Sequence, residues 1–253
     1  MSNEYQAHIL DFDKAPAYAV LFHLGKKSMR PGGLELTRRL LKELKISTAD
    51  DVVEFAPGRG LTTKMVMELQ PQSYIAVERD PVSQKKVQEI LSGQGKCVVG
   101  TAQETGLQDE CATVVFGEAM LTMQSREQKL RIAREAFRLL KSGGKYGIHE
   151  TCLLENVASQ EKRNEIEKAL REALRVGARP LLLTEWKELL EEAGFVVQEF
   201  MEAPMNLLTP KRLIQDEGIF GVLRFISRVI RSKSAHKRLH KIRRAFTTYG
   251  SYI

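Results

Sequence analysis

The strongest constraint on the fold is an alternation between residues 50 and 150, where short β-rich runs take turns with helical patterns. Val52-Val53-Glu54-Phe55, Tyr74-Ile75-Ala76-Val77-Glu78, Cys97-Val98-Val99 and Thr113-Val114-Val115-Phe116 read as four strands, and Tyr146-Gly147-Ile148 lies in a fifth. Between them, Leu61 to Leu69 and Glu127 to Leu140 read as helices. Pro81 opens another at a first-turn position, where its missing N–H is harmless. Gly143-Gly144 is expected to stop the helix that ends at Leu140. Near-continuous apolar strands joined by helical crossovers require a parallel sheet covered on both faces. The expectation is an α/β, Rossmann-like, doubly wound, mostly parallel sheet.

Flanking segments read differently. A turn-rich basic stretch from His23 to Gly33 precedes a helix beginning near Leu34. After residue 150, Glu161 to Val176 and Leu183 to Ala193 read as helices, the second with Thr184 as N-cap and Gly194 as stop. Phe195 to Phe200 reads as a sixth strand, Lys211 onward as helical, and Phe246 to Ile253 as the start of an abbreviated last strand. The chain thus divides into an N-terminal cap (1–45), a core (46–204) and a basic amphipathic helical segment (205–253).

At 253 residues and 43% hydrophobic, the chain can bury a sizeable core. Cys97, Cys111 and Cys152 are scattered and odd in number, which argues against a disulfide framework or a structural zinc. Glu4, Asp11 and Asp13 stand where a secretory leader would be basic, so a cytoplasmic setting is expected. The charge is uneven. Residues 218–253 carry nine Lys/Arg and no Asp or Glu, so the net +7 belongs to that segment and the rest is slightly acidic.

The first strand runs into Glu54-Phe55-Ala56-Pro57-Gly58-Arg59-Gly60, and a helix follows. Glycines at such a turn let backbone approach a ligand, and a helix N-terminus favours an anion. Glu78 follows Gly58 by twenty residues, placed to accept hydrogen bonds from ribose hydroxyls. A dinucleotide fingerprint would want a third glycine where Thr63 stands.

The loop resembles instead the E/D-x-G-x-G-x-G motif of class I S-adenosylmethionine-dependent methyltransferases, with Ala56 replacing the first glycine. That replacement is mild if Ala56 has negative φ. Val77-Glu78-Arg79-Asp80-Pro81 resembles the family's second motif. Val99-Gly100-Thr101-Ala102-Gln103 resembles its G-D-A stretch, and Leu139 to Gly144 its L-K-P-G-G turn. The resemblance implies adenosylmethionine as cofactor, held by Glu54, Ala56, Gly58, Gly60, Glu78, Arg79, Thr101, Ala102, Gln103 and Glu118. It also implies a small-molecule methyl acceptor, with amphipathic and anionic molecules as candidates, lined by His23, Arg30, Met120 and Glu150. Lys26 and Lys27 are further candidates for an anionic group. His149, at the end of the fifth strand, reads either as a general base or as a residue that shapes the pocket. No metal site is expected.

Beside an ordinary solvated face, the basic C-terminal segment admits three readings: a lid over the substrate pocket, a contact with an anionic membrane surface, or an RNA-binding element. The last would make the chain an RNA methyltransferase.

Overall fold

The computed structural model describes residues 11–27, 30–157, 159–205 and 207–253. Its centre is a five-stranded parallel sheet of β1 (Asp51–Phe55), β2 (Ser73–Glu78), β3 (Lys96–Val99), β4 (Ala112–Glu118) and β5 (Leu140–His149), in the order β3-β2-β1-β4-β5. The chain steps outward from β1 to β3, then returns to build on the other side. The reversal falls between β1 and β4, the place where open α/β sheets bind ligands.

Strand periodicity decides what covers each face. Val52, Tyr74, Ala76, Val114 and Phe116 pack against α2 (Gly33–Leu44), α3 (Leu61–Met67) and α4 (Pro81–Leu91). Val53, Phe55, Val77 and Val115 face α5 (Arg126–Leu139) and Trp186 of α7 (Leu183–Glu192). On the first face α2 lies hard against the edge strand: a Cβ on Gly147 would sit 2.9 Å from Leu40 and 3.0 Å from Leu44.

The remaining helices form a second body of packing. These are α1 (Ala17–Leu24), α6 (Gln160–Leu174), α8 (Pro210–Ile230) and α9 (Lys233–Tyr249). They share two apolar clusters, one around Ile166, Leu170, Ile242 and Phe246, the other around Val20, Leu21, Leu24, Phe225 and Val229. Cys152–Leu153 (β6) and Leu181–Leu182 (β7) form a separate short parallel pair. No helix among the described residues is long and apolar enough to cross a membrane.

Several local expectations are corrected. Phe195 to Phe200 forms no strand. Phe195 is anchored, stacking on Tyr146 of β5 and edge-on to Phe137 of α5, while Val196 is 83% exposed. The C-terminus is equally helical: α9 runs through Tyr249 and a 3-10 turn follows, so no last strand forms there. Helix α5 starts after Ser125, whose side chain accepts the Gln128 N–H in a capping box. It ends at Leu139, and Gly143-Gly144 falls inside β5 instead of stopping it. Thr184 sits within the first turn of α7, where Glu185 accepts the Leu182 N–H at 2.8 Å. Gly218, at φ 71 and ψ 168, breaks α8 into two pieces.

Candidate active site

The β1–α3 loop turns on residues with left-handed backbone: Ala56 at φ 51, Gly58 at φ 58 and Gly60 at φ 72. The negative φ expected for Ala56 is thus overturned. Its N–H donates to the Val77 carbonyl at 2.9 Å, a bond that fixes the turn against β2. Gly60 is favoured by its left-handed backbone, and a Cβ there would also press on the Ile90 δ-methyl at 2.6 Å. Gly58 differs: its Cβ position faces open space, with nothing within 4 Å. The Gly58 N–H donates to one Glu78 carboxylate oxygen at 3.0 Å, and the Asp80 N–H donates to the other at 2.9 Å. Asp80 in turn caps α4 through Ser83.

Beneath the loop lies Glu54. Its carboxylate accepts hydrogen bonds from Thr63 at 2.6 Å and from the Tyr74 hydroxyl. Burial pushes its carboxyl up to about 7, outweighing those bonds. Glu54 therefore braces the loop from inside the core. Above the loop, the Arg59 guanidinium stacks 4.5 Å from the Phe22 ring of α1.

Across the switch point, β4 ends in Glu118. One of its oxygens accepts from Thr37 of α2 at 2.7 Å and from His149 Nδ1 of β5 at 2.8 Å. The other accepts from Thr62 of α3 at 2.6 Å and from the Arg30 guanidinium, which also reaches Thr62 and Thr37. Burial alone would raise this carboxyl, but His149, Arg30 and Thr62 hold it down at about 2. His149 Nε2 meets the Pro31 carbonyl oxygen. Both ring nitrogens thus lie against oxygens of neighbouring segments. Residues 30 and 31 are thereby laid across the ends of β4 and β5.

Glu150 turns away from the crevice. Its oxygens accept from the N–H groups of Met120 and Leu121 at 2.8 Å, and from the N–H and hydroxyl of Thr122 at 2.9 and 2.7 Å. It moulds the loop after β4, where Ala119 also has positive φ (53); with every oxygen engaged, it is not free for an acceptor. Met120 is buried in the apolar cluster beneath α5 and Trp186. Lys26 is likewise committed, to Asp216 and Glu217 of α8, and Lys27 is exposed. His23 is exposed, with its ring edge-on to Phe12. Arg79 and Thr101 are exposed, Ala102 is buried, and Gln103 is half-buried. Sequence reasoning missed Thr37, Thr62, Thr63 and Tyr74. The Thr62-Thr63 pair in the first turn after a glycine loop was a usable signal, since hydroxyls placed there point back at the strand ends.

A sheet with its switch point between β1 and β4, a glycine turn after the first strand and an acid at the end of the second together define the Rossmann-like methyltransferase fold. Residues 53–148 match the family described as "Methyltransferase domain". An uncharacterized protein of Haemophilus influenzae is 32% identical over 236 residues, covering 91% of this chain and 90% of that one. Ribosomal RNA small subunit methyltransferase A of Maridesulfovibrio salexigens is 36% identical over 61 residues, 23% of each chain. Among solved structures, the cyclopropane synthase MmaA2 of Mycobacterium tuberculosis superposes with a TM-score of 0.68 at 10% identity, over 97% of this chain and 94% of that one. Residues 53–148 are thus a methyltransferase domain on the class I Rossmann-like fold, and methyltransferases of this kind generally use adenosylmethionine as methyl donor.

Proposed function

We propose that this chain binds S-adenosylmethionine in the β1–β2 crevice and transfers its methyl group to a small, apolar or amphipathic molecule. The residues present suit the cofactor. Glu78 would take the ribose hydroxyls in exchange for its bond to the Gly58 amide, and the open side of Gly58 leaves room for the ligand. The bound cofactor supplies an activated sulfonium methyl, so the protein's work is alignment and exclusion of water.

The observation that carries the acceptor reading is the Arg30–Glu118–His149–Pro31 closure over the ends of β4 and β5. A segment tied down there favours an acceptor that fits beneath it. The same ties narrow the earlier expectation of an anionic acceptor. Arg30 is neutralised by Glu118, and Lys26 by Asp216 and Glu217, which leaves neither cation free for a substrate charge. The 61-residue match to a ribosomal RNA enzyme is too short to carry that enzyme's substrate across.

Calorimetric titration of adenosylmethionine into wild type and Gly58→Arg tests the cofactor site. The arginine is expected to abolish binding, and equal affinity in both would refute the assignment. Incubating wild type with methyl-labelled cofactor and a cell extract, then separating small molecules from RNA, tests the acceptor class. Label found only in RNA would overturn the small-molecule reading.

A further inference from the structure

Beyond Gly218 the helix α8 carries its apolar residues on the wrong side for a lid. Phe225 and Val229 turn inward, onto Val20, Leu21 and Leu24 of α1, and Val222 is half-buried. Ile219, Phe220, Leu223, Ile226 and Ile230 all point outward, with Phe220 83% and Ile230 75% exposed. At about 100° per residue, Ile219, Leu223, Ile226 and Ile230 fall within an arc of about 60°, and Phe220 lies about 60° beyond Leu223. Arg224 and Arg231 border the stripe on the Phe220 side, about 20–40° further round. An apolar stripe of this size on a monomer marks an interaction surface.

We propose that residues 219–230 lie flat on an anionic lipid surface, with the stripe in the acyl boundary and the flanking arginines at the headgroups. Charge decides among the occupants. Residues 218–253 contain nine Lys/Arg and no acidic residue, and all nine except the buried Arg238 are exposed. A second copy would bring the same positive charge to the contact, so self-association through this face opposes itself. An RNA site would use the arginines and aromatic stacking, and has no use for a row of outward isoleucines and leucines. A bilayer rich in anionic headgroups satisfies both halves, since apolar area and basic charge add on one surface. The stripe is about 18 Å long by helical rise, far short of the roughly 30 Å hydrocarbon core, so it lies on the membrane and does not cross it. This inference is independent of the methyl-transfer reading.

The test is co-sedimentation of the full chain with vesicles of phosphatidylglycerol mixed with phosphatidylcholine, and with vesicles of phosphatidylcholine alone. Binding is expected on the anionic vesicles only, falling about tenfold or more at high salt as the headgroup charge is screened. Phe220→Asp with Leu223→Asp is expected to lose binding by a similar factor, with an unchanged melting temperature because both side chains are already in solvent. Arg224→Glu with Arg231→Glu is expected to do the same. Equal binding to neutral vesicles, no binding to either, or full binding by the aspartate variant would overturn the proposal. So would light scattering that shows a dimer dissociated by Phe220→Asp.

Discussion

The Lys26 ammonium lies 3.3 Å from an Asp216 carboxylate oxygen, and both side chains are closed to solvent although 190 residues separate them. The other oxygen of Asp216 accepts the Leu34 N–H at 3.2 Å, so one carboxylate both pairs with the lysine and caps α2. Breaking a buried pair strands a charge, at a cost of about 3–5 kcal/mol, whereas an exposed pair such as Arg131–Glu127 is worth a few tenths. Lys26→Met is therefore expected to lower the unfolding free energy by about 3 kcal/mol. A double-mutant cycle with Asp216→Asn should give a coupling above about 1 kcal/mol. Coupling near zero would mean the pair is solvated.

Glu54, beneath the β1–α3 loop, and Glu118, at the end of β4, titrate in opposite senses. Glu54 holds its proton more tightly folded, at about 7 against an ordinary 4.5. Its burial therefore destabilises the fold increasingly as pH rises from about 4.5 to about 7, by on the order of 3 kcal/mol at most. Glu118 holds its proton less tightly folded, at about 2 against 4.5, so its contribution is full above 4.5 and is lost as pH falls toward 2. Urea melts across pH 3–8 should show Glu54→Gln removing a decline above pH 5. Glu118→Gln should remove a decline on the acid side. The same pH dependence in wild type and both variants would refute the assignment.

The loop glycines separate strain from clash. Ala56 already holds a left-handed backbone, so Ala56→Gly relieves about 1 kcal/mol while loosening the unfolded chain by nearly as much. The net change in melting temperature should be small. Gly60→Ala adds both strain and the Ile90 contact, and should cost more stability than Gly58→Ala, which meets nothing. Thermal melts of the three variants give the order, and a Gly58→Ala as costly as Gly60→Ala would contradict it.

His149 is held by Glu118 and the Pro31 carbonyl, which suits a positioning residue. His149→Phe leaves Glu118 short of a donor and should cost about 1–3 kcal/mol in a denaturant melt. A variant that melts like wild type yet loses methyl transfer would assign the imidazole to the chemistry instead.

Much of the sheet was readable because parallel strands buried on both faces are apolar runs, and all five strands fall where such runs stand. What escaped depends on partners far along the chain or on backbone handedness. Nothing local to Lys26 announces Asp216, and nothing about an alanine announces φ 51 at position 56. Val196 and Phe200 look like strand residues, but both stay largely in solvent while Phe195 packs against the core. The spacing of Gly58 and Glu78 marked both as site residues, but it did not announce the hydrogen bond between them. The fourfold tie on Glu118 was not announced either, because Arg30, Thr37, Thr62 and His149 come from four different segments.

A sheet that closes at β5 also has a consequence in time. Every strand pairing of the central sheet lies within residues 51–149, so a chain emerging from the ribosome can complete it while the last hundred residues are still unmade. Asp216 arrives long after Lys26 and Leu34. The segment around Lys26 is thus made before the sheet and locked after it, and refolding should show it gaining amide protection later than β1 and β4.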